Sequence, residues 1–421
     1  MAGSFDVIVI GGGPAGAVCA ARLAQKGRRV LVLEKEHFPR FRLGESLLAY
    51  SLPIFAEIGV LDALRREFIV KRGARFHDDV CDRKGRFAFA DGWRSDPSHS
   101  FQVPRDAFDV ILLDCAKAHG AEVRQGVTVT RIVREAGRTV GVEMITDDGV
   151  KESAAARFIV DATGRHAMTA HSMRMTSRIE GLDQTAFYMH FRGVPRPSGE
   201  TEGDIDIVIF REGERARPNW FWFIPFMDGR TSVGAVVSGS WIKDRRTRFG
   251  ARVGDADGLF AQAVTESRTA GEMLSGATRL WSKCEAVADY SYQVRDLWGE
   301  GWVVLGDAGG FMDPVFSAGA HVAMVGAMTA ADAMVKVLDT NADEAETFAA
   351  WDNDLRAGAE MFLLAIKAFY AGPLVDLLFA DAKHNALRRS ITSLLAGDVF
   401  NDSVWLRDAR LRLRDMIYAV R

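Results

Sequence analysis

The sequence predicts an α/β protein in three parts: a β–turn–helix–β opening, an antiparallel β-sheet in the middle, and a helical C-terminal region. Three observations carry that expectation. Residues 5–10 (FDVIVI) are an apolar, β-branched run that ends in Gly11-Gly12-Gly13-Pro14-Ala15-Gly16. Between about residues 175 and 290, short β-rich runs alternate with turn formers, and after about residue 340 apolar residues recur at helical spacing. With 421 residues the chain exceeds the ~250–300 at which a single core stops growing, so more than one lobe is expected. Its 48% hydrophobic and 26% charged residues exclude a disordered, collagen-like or disulfide-stapled chain. A formal net charge of −3 argues against a broad nucleic-acid footprint. Cys19, Cys81, Cys115 and Cys284 lie far apart and read as reduced thiols. The nine histidines are scattered without metal-type spacing, so no metal site is expected.

Residues 5–23 are nearly uncharged and could pass for a signal peptide or a membrane span. They lack a positive flank, and the glycines and Pro14 break the run where lipid would leave backbone unpaired. No other stretch reaches the ~18–20 uninterrupted apolar residues of a span. The expectation is a soluble, cytoplasmic protein that meets no membrane.

In the opening unit each residue type has a physical job. Gly11 allows a tight turn, Gly13 lets the backbone approach a pyrophosphate, and Gly16 lets the helix pack close to the strand. Phosphates then meet unpaired N–H groups at the helix N-terminus. A second strand ends at Glu34, 18 residues after Gly16. Its carboxylate can accept both hydroxyls of an adenosine ribose and would repel a 2′-phosphate, so FAD or NAD fits better than NADP.

Two later strand–turn units narrow the choice. Residues 157–160 lead into Asp161-Ala162-Thr163-Gly164. Residues 302–305 lead into Gly306-Asp307-Ala308-Gly309-Gly310, with a helix from about Ala320. Asp307 at a strand end can hold the ribitol hydroxyls of a flavin, and the helix beyond it points its N-terminus at the isoalloxazine. The middle strands are expected at 184–193, 204–210, 220–225 and 231–238, and the C-terminal helices at 344–370, 374–379, 386–395 and 404–420. The predicted domains are a discontinuous nucleotide-binding domain (1–75, 100–175 and 295–340), a β-sheet substrate domain (76–99 and 176–294) and a helical region (341–421).

Four sequence features resemble the FAD-dependent monooxygenase superfamily and, within it, the flavin-dependent halogenases that act on phenol or pyrrole rings held on carrier proteins. Trp220-Phe221-Trp222-Phe223-Ile224-Pro225 matches WxWxIP. Phe311, Pro314, Ser317 and Gly319 match FxxPxxSxG. Gly44-Glu45-Ser46 follows Phe41-Arg42, and Lys71 lies at the distance from it where this branch keeps a catalytic lysine.

The resemblance implies a Rossmann-like FAD-binding domain with an antiparallel β-sheet substrate domain and a C-terminal helical segment. FAD contacts fall on Gly11, Gly13, Pro14, Ala15, Gly16, Glu34, Lys35, Arg42, Glu45, Ser46, Arg105, Asp161, Gly164, Asp307, Pro314 and Gly319. It further implies that FADH2 arrives from a separate flavin reductase, reacts with O2, and oxidises chloride or bromide held near Ser317, Ala318 and Gly319 to hypohalous acid. Trp220, Trp222, Ile224 and Pro225 shield the flavin from the organic substrate. Lys71 then passes the halogen to an aromatic small molecule or to an acyl group on a carrier protein. A buried lysine suits this step, because desolvation lowers its pKa and makes it a nucleophile as well as a donor.

Phe316 stands where halogenases of free tryptophan carry a glutamate, so a free tryptophan substrate is not expected. Docking of an acidic carrier would need basic surface, for which residues 243–248 and 407–414 are the candidates. Three other readings share parts of the pattern: a reductase of the geranylgeranyl type, an aromatic hydroxylase, and an FAD-binding scaffold without chemistry.

Overall fold

The computed structural model describes residues 5–214, 216–380 and 385–419. Parts of the predicted outer segments, residues 1–4, 381–384, 420 and 421, lie outside the described residues, as does Arg215. β1 (Phe5–Ile10), α1 (Pro14–Gln25) and β2 (Val30–Glu34) form as expected. β1 pairs in parallel with β2 on one side and with Lys151–Asp161 on the other; Glu122–Gln125 lies beyond β2, and Trp302–Val304 beyond Lys151–Asp161. Ile10 stands opposite Asp161, and Asp161 opposite Val304. The turns after these strands therefore converge at one edge, where open α/β sheets bind ligands.

Helix packing explains the glycine at 16: a Cβ there would sit 1.9 Å from the Gly11 carbonyl oxygen. α1 is flanked by Arg105–Ala118 and by Ala318–Thr340. The latter is long and apolar enough to cross a membrane, with a window of mean hydropathy 1.3, half of it buried. It packs between α1 and Glu344–Ala371 as a core helix. Asp332 and Lys336 interrupt it, which is why the sequence shows no unbroken apolar run.

The middle sheet runs Thr278–Arg279, Gln184–Arg192, Arg230–Ser238, Asn219–Pro225, Ile205–Phe210, Gly73–Asp78, Arg83–Ala88, and the four predicted strands fall within a residue of their expected ends. Ile205–Phe210 pairs with Gly73–Asp78 in parallel, so the sheet is not wholly antiparallel. Its side chains alternate. Ile207, Trp220, Trp222 and Val236 join one apolar cluster with the C-terminal helices, while Val208, Phe221, Phe223 and Val237 join another on the far face. That far face is covered by Gly239–Phe249, Ala256–Glu266 and Arg268–Leu274, three helices in a segment expected to be β-rich. Each starts at a polar side chain (Ser238, Asp255, Ser267) that accepts a hydrogen bond from a backbone N–H of the first turn. The hairpin Val127–Glu135/Arg138–Thr146, also unforeseen, pairs with the first half of Lys151–Asp161.

The C-terminal helices are Glu344–Ala371, Pro373–Leu378, Asn385–Ala396 and Val404–Ala419, close to the predicted ends. Phe362, Ile366 and Phe369 bury one face against the sheet cluster that holds Trp220 and Trp222.

Candidate active site

A cavity of 770 Å³ opens at the edge where the parallel strands end, between that edge and the tryptophan face of the second sheet. Fifteen of the predicted residues line it: Gly11, Gly13, Pro14, Ala15, Glu34, Lys35, Arg42, Glu45, Ser46, Arg105, Gly164, Asp307, Pro314, Ser317 and Gly319. Trp220, Trp222 and Ile224 line the opposite wall. Gly16, Asp161, Ala318, Pro225 and Lys71 do not reach it.

The cradle is built from backbone. Gly11 has a φ of +106°, and a Cβ on it would lie 2.3 Å from the Ala162 carbonyl oxygen. The Glu34 carboxylate accepts from the N–H of Gly12 (2.7 Å) and of Glu36 (2.9 Å), which fixes it at the end of β2. α1 begins without a side-chain cap, leaving its first N–H groups open to a phosphate. Arg105 is pinned by Asp109 at 2.7 and 2.9 Å beneath Gly44, where a Cβ would lie 2.8 Å from the guanidinium. Arg40, which the sequence did not single out, also lines the cavity and meets Asp109 (2.9 Å) and Glu36 (3.1 Å). Burial raises the Asp307 carboxyl to about 6, against the pull of Arg105 and Arg165. An extended cleft with a glycine turn, an open helix start and a fixed carboxylate at one end fits FAD.

Asp161 requires a correction. Its carboxylate accepts from the Thr163 N–H (3.1 Å), the Thr163 hydroxyl (2.7 Å) and the Thr169 N–H (2.6 Å). It shapes the turn, and Ala162, Thr163 and Gly164 face the cavity in its place.

At the other end, Ser317 adopts φ +55° and ψ +25°, and Ala318 and Gly319 open the helix Ala318–Thr340. First-turn N–H groups have no intrahelical partner, so they form a nest for a small anion. The wall opposite is held tightly. The Trp222 ring lies against Gly234, where a Cβ would come within 2.2 Å of it, and its indole N–H donates to Ser232 (3.1 Å). The Trp220 indole N–H donates to the Tyr370 hydroxyl (2.9 Å). That hydroxyl donates to Asp313 (2.9 Å), which also accepts from Tyr290 (3.3 Å) and from the Val315 N–H (3.0 Å). Asp313, whose carboxyl burial raises to about 7, thus ties the Ser317 turn, the tryptophan wall and a C-terminal helix together. The members of this network are distant in the chain, so no motif or spacing marks it. Pro225 ends the tryptophan strand beyond the cavity.

Lys71 ends the strand Ile69–Lys71 and is 2% exposed. Its Nζ donates to the Ser46 hydroxyl (2.8 Å) and the Leu47 carbonyl (3.0 Å) and lies 5.3 Å from the Phe89 ring centroid. Desolvation lowers its pKa to about 7, with Asp204 acting against the shift. Ser46, on the cavity wall, stands between the cavity and the amine. Beside it Glu45 and His190, 145 residues apart in the chain, form a second buried pair at 2.9 Å.

In the basic segment 243–248, Arg245 is 4% exposed and bound by Glu266 at 2.5 Å and Glu212 at 2.7 Å, and Arg248 is bound by Asp244 at 2.9 Å, while Lys243 and Arg246 are exposed.

The profile of the FAD-binding domain family matches residues 4–350, and the chain belongs to that family. It is 30% identical over 370 residues to the tryptophan 2-halogenase of Chondromyces crocatus, covering 87% of this chain and 68% of that one. Over 416 residues it is 29% identical to the Pseudomonas fluorescens chlorinase of 1H-pyrrole-2-carbonyl on peptidyl-carrier protein, covering 94% and 90%. The solved structure of the flavin-dependent brominase Bmp2 superposes with a TM-score of 0.87 at 25% identity, over 99% of each chain. The protein is a flavin-dependent halogenase.

Proposed function

We propose that this halogenase acts in the cytoplasm on a phenol or pyrrole ring held as an acyl group on a carrier protein, with Lys71 as its catalytic residue. The observation that carries the reading is the Lys71 amine, buried, brought to a pKa of about 7 and held one hydroxyl away from the cofactor cavity. The two pyrrole halogenases among its relatives, at 29% identity over 90% or more of each chain, support a tethered ring.

Bound and reduced by a separate flavin reductase, FAD supplies with O2 the two-electron oxidation of chloride or bromide to hypohalous acid. The N–H groups of Ala318 and Gly319 hold the halide beside Ser317. Trp220, Trp222 and Ile224 fill the wall, so that a small oxidant leaves the cavity and an organic ring does not enter. Lys71, in its neutral form, takes the halogen from hypohalous acid with release of water, forming an N–X bond. It passes the halogen to the ring as an electrophile, and the ring loses a proton.

The test uses chemically reduced FAD, O2 and bromide or chloride, with a β-diketone trap in one arm and pyrrole-2-carbonyl or hydroxyphenyl-carbonyl carrier protein in the other. Halogenated trap together with a halogenated tethered ring is the expected result. A trap that stays unmodified overturns halide oxidation. Halogenation of the free acid at the rate of the tethered ring overturns the carrier.

A further inference from the structure

The C-terminal helices enclose a second cavity of 450 Å³, within the size range of small-molecule sites. Its floor is Met361, Leu374, Ile391 and Leu394, all buried. These residues belong to the apolar cluster that also contains Leu48, Phe89, Phe316 and the two tryptophans of the cofactor wall. Trp93 stands on one side, fixed to helix Asn385–Ala396 by its indole N–H to Ser390 (3.0 Å) and its backbone N–H to Ser393 (2.8 Å). The turn before it, Phe89–Asp91, packs on the same helix. Phe89 is the ring that faces the Lys71 amine. Lys71 therefore has Ser46 toward the cofactor cavity and Phe89 toward the helix that bounds the second one.

The mouth of this cavity is made by the last helix, Val404–Ala419. Val404 (68% exposed) and Leu411 (62%) are the two most exposed large apolar side chains among the described residues. Arg407 pairs with Asp402 (3.5 Å), and Arg410 and Arg414 with Glu360 (3.6 and 2.6 Å). Arg412, on the rim with Trp405 and Asp408, is exposed and has no ion pair or hydrogen bond among the described residues.

We infer that this second cavity receives the aromatic ring of the tethered acyl group, and that Arg412 meets the phosphate of the carrier's thiol arm. The inference rests on the carrier reading above. An apolar pocket desolvates the ring while the one charged group of the arm stays at the mouth, beside a free guanidinium. Exposed apolar side chains among arginines on one helix suit an acidic carrier with an apolar contact patch. Ring and flavin then lie on opposite sides of Lys71, and only the oxidant has to pass the tryptophan wall.

The experiment compares wild type, Leu387→Trp at the half-buried edge of the pocket, and Arg412→Gln, with the β-diketone trap as a measure of halide oxidation. Leu387→Trp is expected to slow tethered-ring halogenation at least ~10-fold while trap halogenation and the melting temperature hold. Arg412→Gln is expected to raise KM for the carrier-bound acyl group roughly 5- to 10-fold at unchanged kcat, and to leave the phosphate-free pantetheine thioester unaffected. Unchanged tethered-ring kinetics in Leu387→Trp overturn the pocket, and equal effects of Arg412→Gln on both thioesters overturn the phosphate contact. A wild type that oxidises halide but halogenates neither the pyrrole nor the phenol thioester overturns both. Absence of trap halogenation in wild type strikes the halogenase reading itself and is thereby distinguished.

Discussion

The two cavities differ in what builds them. The larger is shaped by backbone: glycine turns at three strand ends, a bare helix start, and carboxylates held by N–H groups. The smaller is shaped by apolar side chains from four helices and one turn. A backbone-built site tolerates no added atom at a few positions and is nearly indifferent elsewhere. A side-chain-built site can be resized residue by residue, which is how one cofactor chemistry can serve many rings.

That contrast breaks most sharply at Gly16. Gly16→Val places its Cβ against the Gly11 carbonyl oxygen, and FAD affinity should fall at least ~100-fold by fluorescence titration. Leu374→Ala, on the floor of the smaller cavity, should cost about 2–4 kcal/mol in denaturant unfolding and leave the FAD affinity within twofold. A similar loss of FAD in both variants would remove the distinction.

Lys71 lies between the two and carries a burial penalty. Its folded pKa of about 7 is below the usual lysine value, so the unfolded chain binds more protons between pH 7 and about 10.5, and stability rises with pH through that window. Lys71→Met should stabilise the protein at pH 7 by on the order of 2–4 kcal/mol and flatten that rise. A destabilised Lys71→Met would mean that the Ser46 and Leu47 hydrogen bonds outweigh desolvation.

Asp313 shows the opposite sign. Its folded pKa, raised to about 7, makes the native state bind more protons between about pH 4 and 7, so stability falls as pH rises through that range. Asp313→Asn should remove this dependence at a cost of about 1–2 kcal/mol below pH 5. Persistence of the slope in the variant would assign it elsewhere. The smallest effect separates the basic segments: Arg246→Gln should change stability by less than ~0.5 kcal/mol. Arg245→Gln, which takes the buried guanidinium away from Glu266 and Glu212, should cost about 2 kcal/mol or more.

The backbone-built part was legible in the sequence because glycine and strand-end carboxylates sit at fixed spacings there. Gly11, Glu34, Asp307 and Ser317 all appear on the cavity wall. The four central strands and the C-terminal helices were legible for the same reason, as periodicity is local. Asp161 was misread because a carboxylate at a strand end can serve its own turn as well as a ligand. The segment 239–274 was missed because its helices are capped by single serines and an aspartate, a weak signal beside strong strands. Arg40, the Glu45–His190 pair, the Asp313 network and the second cavity depend on contacts between residues far apart in sequence, which no spacing encodes.

The most direct test of the account compares wild type, Lys71→Ala and Lys71→Arg, each loaded with reduced FAD, O2 and bromide, for halogenation of the β-diketone trap and of the tethered ring in parallel. Trap halogenation should be equal in all three. Ring halogenation should fall by ~10³-fold or more in both variants, because alanine has no amine and the arginine stays charged and cannot take up the halogen. Ring halogenation that survives in Lys71→Ala, or trap halogenation that vanishes with it, would contradict the separation of halide oxidation from halogen transfer at Lys71.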